Sequence, residues 1–395
     1  MISFTLTPEQ TMLQRTARDY ATGQLRPLVE RTRHDPPHEP WPHVRPVFEA
    51  GAALGLTKLF VPEALGGLGG SAVDAVIVLE ELGAADVGIA SDYFSLTATM
   101  PLMLQRAGGA NAEVFLKQFA DTPAMVLAGA QSEPNVAGSE LMMAGPAPEY
   151  GPKLSARRDG DTWVLAGAKS AFVTNAGVAD AYLIIARTDA AKPLMTGLSI
   201  FWVPAGTPGV RVGNKTPLIG WPLTSHAELV FDNVRLPATS LVGTEGGAAM
   251  LFAMIPEMPV CLAATFVGLA RASYEYALEY ARNRRSMGAP IAQHQAVALK
   301  LAEMAVELHA ARLMVWDAAA GCATDPMGTA MFKAPAAKAK AVDAAIRNAE
   351  LCVQVLGGYG VTREYEAGRF LNDAWVGWSC DFTRDVLYLG IAAGL

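Results

Sequence analysis

Residues 128–180 read AGAQSEPNVAGSELMMAGPAPEYGPKLSARRDGDTWVLAGAKSAFVTNAGVAD, and they decide how the rest of the chain is interpreted. Two short loops, SEPNVAGSE at 132–140 and KSAFVTNAGVAD at 169–180, flank a strand-like hairpin. Both are rich in Gly, Ser, Thr and Asn, which leave backbone N–H groups and hydroxyls free for a phosphate or the edge of a heterocycle. On composition alone, two ordinary surface turns would be the favoured interpretation.

The hairpin lies within a long region of strand-like sequence. From residue 125 to residue 237 the apolar residues alternate or form short runs rich in β-branched and aromatic side chains, as in DAYLIIART and HAELVFDNVRLP. Gly and Pro occupy the turns between these runs. We therefore predict an all-β domain over residues 123–242.

Helical sequence lies on both sides of this β region. Thr7 with Gln10 and Ser71 with Asp74 fit capping boxes, and a long helical stretch follows the second one to about Arg106. After Gly246 the periodicity predicts four helical segments, at roughly 247–283, 291–322, 328–356 and 364–392. The sequence thus predicts a multidomain α+β protein, with an N-terminal helical domain at 1–122, a middle β-barrel or sandwich and a C-terminal four-helix bundle at 243–395.

The bulk composition excludes several classes of function. The chain has 395 residues and a net charge of −7, so there is no electrostatic case for nucleic acid. Apolar residues make up 51% and charged residues 17%, which fits a large core and a broad subunit interface. The four cysteines and six histidines are scattered without the spacing of a metal site. We predict reduced thiols and no metal.

Neither end of the chain nor its apolar runs predict a membrane protein. The N-terminus MISFTLTPEQ has no cationic start and no apolar core, unlike a signal peptide. The apolar run at 248–270 contains Glu257 and two prolines, so a buried helix fits it better than a membrane span. The sequence predicts a cytoplasmic protein.

Taken together, the two loops of residues 128–180 resemble a motif pair of the acyl-CoA dehydrogenase family of flavoproteins. That family has a TEP-x-A-GSD loop and, about one hairpin later, a G-x-K-x-(F/W)-I-T-N-A-x-x-A-D loop. This chain has Ser132-Glu133-Pro134 … Gly138-Ser139-Glu140, one residue longer than usual, and then Gly167, Lys169, Phe172-Val173-Thr174-Asn175-Ala176 and Ala179-Asp180. The resemblance covers nearly the whole chain and implies the order of helical, β and helical domains, with FAD as cofactor.

In the family these loops hold the isoalloxazine ring of FAD. The resemblance implies that Phe172 lies against the ring and that Thr174 and Ser132 bind its edge. It assigns three further loop residues to the cofactor: Gln131, Gly138 and Ser139. Ser139 is also assigned to the substrate.

Two later segments resemble the family's binding site for the other half of FAD. Arg284-Arg285-Ser286-Met287-Gly288-Ala289-Pro290-Ile291 … His294-Gln295 resembles R-x-x-F-G-x-P-I-x-x-x-Q, and Gln354-Val355-Leu356-Gly357-Gly358-Tyr359-Gly360 resembles Q-x-x-G-G-x-G. The resemblance assigns these residues to the pyrophosphate and adenine of a neighbouring subunit's FAD: Arg284, Ser286, Gln295, Gln354, Gly357 and Gly358. It therefore implies a homo-oligomer, either a tetramer or a dimer. Without the resemblance, a solvated helix end and a helix C-cap turn explain both segments.

The segment expected to carry the catalytic base departs from the family pattern. Counting from residues 373–374 places Asp381 at the family's Glu in Y-E-G-T and Thr383 at its Thr, which the resemblance assigns to the cofactor site. The usual Gly has become Phe382. One lost methylene draws the carboxylate back by about 1.5 Å, and a misplacement of that size costs about a hundredfold in rate. We expect Arg384 to lower the pKa of Asp381 if the two side chains pair.

Three other residues are assigned to the substrate by the resemblance. Asp92 and Tyr93 lie on the helix that lines the acyl pocket in the family, where Asp92 could act as a second base, although a solvent-facing Asp is the simpler interpretation. Glu257 lies one residue from an alternative position of the base. The family's G-x-R-x-S loop has lost its Arg at 220–225. These changes leave open the acyl group and its carrier, CoA or a carrier protein.

The first hypothesis is an FAD-dependent acyl-CoA dehydrogenase that forms an α,β-unsaturated, cyclic or small branched acyl-CoA. Asp381 is its base, and an electron-transfer flavoprotein is its acceptor. One alternative is 1,4-dehydrogenation of a cyclic acyl-CoA with Asp92 as second base. Another is an oxidase or monooxygenase of the same fold, similar to nitroalkane oxidase, that uses oxygen. A non-catalytic FAD-binding or CoA-binding protein is the last, and the retained carboxylate and Thr383 argue against it.

Overall fold

The computed structural model describes residues 5–136, 140 and 147–394. Its N-terminal region is helical. The helices there are α1 (Pro8–Tyr20), α2 (Arg26–Thr32), α3 (Trp41–Ala53), α4 (Ala72–Ala85), α5 (Val87–Ile89), α6 (Leu96–Ala107) and α7 (Gly109–Asp121). Both predicted capping boxes are confirmed, because the hydroxyls of Thr7 and Ser71 accept from the backbone N–H groups of Gln10 and Asp74.

The predicted long helix between Ser71 and Arg106 is interrupted. It ends at Asp86, whose backbone is extended and whose carboxylate accepts from the N–H of Ile89 to begin α5. Residues Ala90–Ser95 then form a π-helical turn before α6 begins. Such turns are rare and frequently lie at functional sites, although two others, at 21–25 and 329–333, do not line the cavity described below.

The middle region is a sheet of eight strands within the described residues. They are β1 (Leu127–Ala130), β2 (Ser155–Asp159), β3 (Thr162–Thr174), β4 (Ala181–Arg187), β5 (Leu198–Pro204), β6 (Val210–Lys215), β7 (His226–Pro237) and β8 (Leu241–Val242), with the short helix α8 (Leu194–Gly197) before β5. The order across the sheet is β6-β7-β3-β2-β4-β5-β8, and β1 adds to β4 in parallel. The long β3–β7 ladder pairs Thr174 with His226 at its end.

The C-terminal region is helical again, apart from a two-stranded ribbon of β9 (Arg285–Ser286) and β10 (Ala289–Pro290). Its helices are α9 (Ala248–Ala253), α10 (Glu257–Asn283), α11 (Gln295–Thr324), α12 (Pro326–Gly328), α13 (Ala334–Leu356), α14 (Ala367–Ser379) and α15 (Arg384–Ala392). Helices α10, α11, α13 and α14 pack as a bundle. The predicted fold class is confirmed. The single helix predicted at 364–392 is wrong, since the chain leaves helical geometry at residues 380–383.

Helices α4 and α10 cross at backbone contact. A Cβ atom added at Gly83 would overlap the carbonyl oxygen of Thr265, and one added at Gly268 would overlap that of Glu80. Close approach of this kind requires glycine. It also allows the hydroxyls of Ser91 and Thr265 to bond at 2.8 Å, which fixes the π-helical turn against the bundle.

Candidate active site

A small cavity lies where the N-terminal helices, the sheet and the bundle meet. Its volume is about 50 Å³. Its apolar wall comes from α6, α9 and α10 and consists of Leu96, Met100, Phe252, Met258 and Leu262. Four polar residues predicted from the sequence line the same space: Asp92, Gln131, Thr174 and Asp381. The fold therefore gathers both carboxyl groups and part of the expected flavin loop around one small volume.

Asp381 lies in the short loop between α14 and α15. Asp381 and Phe382 both have left-handed backbone, with φ of +42° and +72°. Residues with a Cβ rarely adopt this conformation, and it persists only where the surroundings impose it. Lys338 of α13 supplies one such constraint, because its Nζ donates to the carbonyl oxygen of Cys380 at 2.6 Å and to that of Phe382 at 2.7 Å.

The electrostatic environment of Asp381 combines burial with a nearby cation. The residue is exposed toward the cavity, yet protein atoms surround its carboxyl group, and this desolvation raises its pKa. The Lys338 ammonium lowers the same pKa by a smaller amount. The expected pairing with Arg384 is wrong, because Arg384 binds the carboxylate of Asp343 at 3.2 Å.

Asp92 occupies the π-helical turn and is 2% exposed. Its backbone carbonyl accepts from Nδ2 of Asn175 at 2.6 Å, so the turn is tied directly to the T-N-A loop. The carboxyl oxygen Oδ2 has no hydrogen bond. The nearest ionisable group to Oδ2 is the imidazole of His226, whose Nε2 lies 3.4 Å away. The interpretation of Asp92 as a solvent-facing residue is wrong.

His226 begins β7 and lies beside both Asp92 and Thr174. Its Nε2 is 3.5 Å from the hydroxyl of Thr174, and its Nδ1 is 3.3 Å from the hydroxyl of Thr224. Burial lowers the pKa of His226 to about 4. Desolvation raises the pKa of Asp92 well above its ordinary value, the Thr224 hydroxyl opposes this, and the charge of Asp381 adds to it. Burial therefore favours the uncharged form of both side chains in the pair.

Tyr93 and Glu257 are not among the residues that line the cavity. Tyr93 is fully buried and packs its ring against Trp41, with 5.2 Å between centroids. Glu257 forms a two-point ion pair with Arg106, at 2.7 and 2.6 Å, and its side chain is 8% exposed. The structure brings neither residue together with Asp381.

The loops expected to hold the flavin ring lie side by side. The hydroxyls of Ser132 and Ser170 are 2.7 Å apart, and Thr174 faces the cavity. Phe172 is 62% exposed, which leaves its ring free to cover a planar ligand. Lys169 is fully buried and bonds the carbonyl of Gln131 at 3.2 Å, which joins the two loops. Two predicted residues of the first loop, Gly138 and Ser139, lie outside the described residues.

A second, larger cleft of about 530 Å³ lies between the β9–β10 ribbon and the end of α13. Four predicted residues line it: Arg284, Ser286, Gly357 and Gly358. The predicted residues Gln295 and Gln354 do not line it; Gln295 begins α11, and Gln354 accepts from Lys300 at 2.7 Å. Thr383 lies elsewhere, as the residue that precedes α15.

The residues of both sites fit the two halves of FAD. The second cleft offers a fixed cation for a pyrophosphate, and neither Gly357 nor Gly358 has any atom within 4 Å of the place where a Cβ would lie. The first site offers hydroxyls for the edge of a ring system and an exposed aromatic face. Together with the order of domains, these features define an FAD-dependent oxidoreductase scaffold.

Comparison with known proteins gives the family. The models described as "Acyl-CoA dehydrogenase, N-terminal domain", "middle domain" and "C-terminal domain" match residues 7–121, 128–234 and 246–394. This chain belongs to the acyl-CoA dehydrogenase family, whose members are FAD-dependent oxidoreductases that act on CH–CH groups. The resemblance stated from the sequence is therefore confirmed, and FAD is the cofactor.

Individual relatives span almost the whole chain. The short-chain specific acyl-CoA dehydrogenase of Megasphaera elsdenii is 30% identical, and the match covers 98% of this chain and 97% of that relative. Cyclohex-1-ene-1-carbonyl-CoA dehydrogenase of Syntrophus aciditrophicus is 33% identical over 93% of this chain and 85% of its own. The structure of butyryl-CoA dehydrogenase from Megasphaera elsdenii superposes with a TM-score of 0.89 at 29% identity, covering 100% and 99% of the two chains.

The described residues contain neither a helix suited to a membrane crossing nor a cluster of side chains suited to a metal ion. In that part of the chain, none of the helices combines the length and the apolar composition that a membrane crossing requires. No group of three or more His, Cys, Asp or Glu side chains suited to a metal ion occurs among the same residues. The four cysteines are free thiols.

Sequence analysis missed two residues of the site. His226 was one of six scattered histidines, and its place at the start of a strand-like run next to the altered 220–225 loop was the only available signal. Lys338 lies in the Ala-rich run AAKAKAVDAAIRNAE, which indicated helix packing alone. A lysine at a fully buried helical position is unusual without a partner, but burial at that position could not be read from the run.

Proposed function

We propose that this enzyme oxidises the Cα–Cβ bond of a cyclic or small branched acyl-CoA, with Asp381 as the base that takes the α proton. The observation that carries the proposal is the position of Asp381 at a small cavity with an apolar wall. One water molecule needs about 10–15 Å³ on the same measure, so a cavity of about 50 Å³ has room for only a few such molecules and favours a compact acyl group over a long straight chain.

The chemistry requires an ionised Asp381. A carboxylate oxygen of Asp381 takes the α proton while the β carbon gives up a hydride, and a carbon–carbon double bond forms between them. Bound FAD supplies the acceptor for that hydride. Hydrogen bonds to the thioester carbonyl stabilise the negative charge that develops as the α proton leaves.

The relatives described above support a compact substrate. Their names specify short-chain acyl groups, butyryl-CoA and a cyclohexene thioester. The altered 220–225 loop and the shortened base distinguish this chain from the family pattern, so we assign the class of acyl group and not one compound.

Anaerobic mixing tests the proposal. Reconstituted protein with FAD is mixed with butyryl-CoA, isobutyryl-CoA, cyclohexanecarbonyl-CoA and cyclohex-1-ene-1-carbonyl-CoA, and with palmitoyl-CoA as the long-chain control. We expect bleaching of the flavin absorbance by at least one compact thioester and slower bleaching by palmitoyl-CoA. Bleaching by palmitoyl-CoA alone would contradict the proposed substrate class. Rapid reoxidation by oxygen with release of peroxide would favour the oxidase alternative.

A second candidate reaction is 1,4-dehydrogenation of a cyclic acyl-CoA, with Asp92 as the second base. The unpaired Oδ2 of Asp92 faces the same cavity as Asp381, which favours this candidate. Burial favours the protonated form of Asp92, so this group acts as a base only when its own proton has left the carboxyl group. Product analysis by NMR distinguishes the two reactions, since the new double bonds occupy different ring positions.

We also propose that the reduced enzyme passes electrons to an electron-transfer flavoprotein and that it works as a homo-oligomer. Support for the oligomer comes from the second cleft, which would hold the pyrophosphate and adenine of a neighbouring subunit's FAD. The free thiols fit a reducing compartment such as the cytoplasm. Light scattering gives the assembly state, and Arg284→Gln should lower the bound FAD content without altering the Asp381 site.

A further inference from the structure

Lys338 is buried in the C-terminal bundle, with 1% of its surface exposed. Its ammonium group binds backbone carbonyls instead of a carboxylate: those of Cys380 at 2.6 Å, Phe382 at 2.7 Å and Gly377 at 3.4 Å. Two of these carbonyls flank Asp381 on either side. Burial of an ammonium group is costly unless its donors are satisfied, so this arrangement needs an explanation beyond packing.

We propose that Lys338 is a positioning residue that holds Asp381 in the geometry needed for proton abstraction. This inference rests on the proposed role of Asp381 as the base. The Cys380 carbonyl belongs to the peptide plane before Asp381, and the Phe382 carbonyl belongs to the plane after Phe382, so one cation holds both ends of the two-residue segment 381–382.

The short side chain of Asp381 makes this constraint important. Aspartate has one methylene fewer than the glutamate usual in the family. A smaller shift of the backbone is therefore enough to withdraw the carboxylate from the substrate. Asp381 and Phe382 also have left-handed backbone at a place where neither is glycine. Without the cation, this segment would relax toward ordinary backbone and withdraw the carboxylate from the cavity.

Lys338 also acts on the ionisation of Asp381. The charged and titratable groups around Asp381 are Lys338 from α13, Cys380 beside it, Asp92 across the cavity and Arg384 from α15. Arg384 is engaged by Asp343, and burial favours the uncharged form of Asp92. Lys338 is therefore the cation that favours the ionised, proton-accepting form of Asp381.

The test compares Lys338→Met with Lys340→Met in the FAD-loaded enzyme. Lys340 lies on the same helix and pairs with Glu307, away from the Asp381 loop. We expect Lys338→Met to slow anaerobic flavin bleaching by about a hundredfold, while Lys340→Met stays within about twofold of the wild type. Because the lost cation lowered the pKa of Asp381, the acid limb of the kcat/KM profile should move to higher pH in Lys338→Met only. An unchanged rate and an unchanged acid limb would overturn the proposal.

A turnover-independent probe strengthens the comparison. Acetoacetyl-CoA has an acidic α proton, and its enolate gives a difference spectrum when a base removes that proton without any redox step. We expect enolate formation in the wild type and in Lys340→Met, and a large loss in Lys338→Met. Asp381→Asn serves as the reference: if it forms the enolate as well as the wild type does, the role of Asp381 fails. If Asp381→Asn loses the enolate and Lys338→Met keeps it, only the inference about Lys338 fails.

A rescue experiment separates positioning from general support of the fold. Phe382→Gly tolerates left-handed backbone without any constraint, so the loss caused by Lys338→Met should be smaller in the Phe382→Gly background. A merely structural role predicts the same loss in both backgrounds, and that result would count against positioning.

If Lys338→Met does not fold, Lys338→Gln replaces it, because the amide can still donate to the carbonyls but has no charge. An unmoved acid limb in that variant would overturn the electrostatic part of the proposal.

Discussion

The two carboxyl groups of the cavity are held in opposite ways. Asp92 lies in a helical turn at the core of the protein, with an uncharged histidine beside it. Asp381 lies in a left-handed loop at the cavity wall, with a buried ammonium group behind its backbone. Burial raises the pKa of both carboxyl groups, and the Lys338 ammonium opposes that rise at Asp381. Under the function proposed above, Asp381 accepts the α proton, while burial favours the protonated form of Asp92.

The largest expected effect separates the two carboxyl groups directly. Asp381→Asn keeps the size of the side chain and removes its basicity, so flavin bleaching by an active acyl-CoA should slow by about a thousandfold. Stopped-flow absorbance under anaerobic conditions measures the rate. Asp385→Asn is the matched control, because that side chain is 72% exposed and lies four residues further along the chain. A fully active Asp381→Asn enzyme would shift the role of base to Asp92 or Glu257.

Asp92→Asn tests whether the second carboxyl group has a chemical role. If a cyclic thioester is oxidised at the 1,4 positions, that reaction should slow by about a hundredfold, because the asparagine cannot exchange a proton with His226. Oxidation of butyryl-CoA at the 2,3 bond should change by no more than about threefold. Both rates are measured on the same preparation. Equal losses on both substrates would show that Asp92 supports the cavity without acting in proton transfer.

The pH dependence should report Asp381 and not Asp92. The base must be ionised, and burial raises the pKa of Asp381, so kcat/KM should fall as pH drops through a value above the ordinary 3.8 of an aspartate. Below that limb the rate should fall about tenfold per pH unit. Asp92→Asn should leave the limb in place, since burial favours the uncharged form of Asp92. A limb that moves in Asp92→Asn would mean that Asp92 titrates together with the base.

The smallest expected effect measures the strain in the Asp381 loop. Phe382→Gly and Phe382→Ala both remove the ring, but only glycine adopts φ near +72° without steric cost. We expect the glycine variant to be more stable than the alanine variant by about 1 kcal/mol. Thermal unfolding of the two FAD-loaded variants gives the difference. A more stable alanine variant would indicate that the loop relaxes to ordinary backbone once the ring is removed.

Local sequence signals predicted the elements and several members of the site. Capping residues and apolar periodicity are local, so Thr7 and Ser71 marked helix starts correctly. Family spacing placed Asp381 and Thr174, which the structure brings to one cavity. The contacts of Lys338 could not be predicted in this way, because they join α13 to a loop more than 40 residues later whose backbone is left-handed. Arg384 was misjudged for a related reason: Asp343, from a different helix, is its partner.

The crossing of α4 and α10 has a consequence for the capacity of the cavity. Gly83 and Gly268 allow the two helices to approach until their backbones are in contact. The hydrogen bond between Ser91 and Thr265 then fixes the position of the turn that contains Asp92 relative to α10. A single methyl group at either glycine would separate the helices and widen the gap between the two acids while every functional side chain remained present. Redesign for a bulkier ring could therefore begin at this crossing, at positions that never meet the substrate.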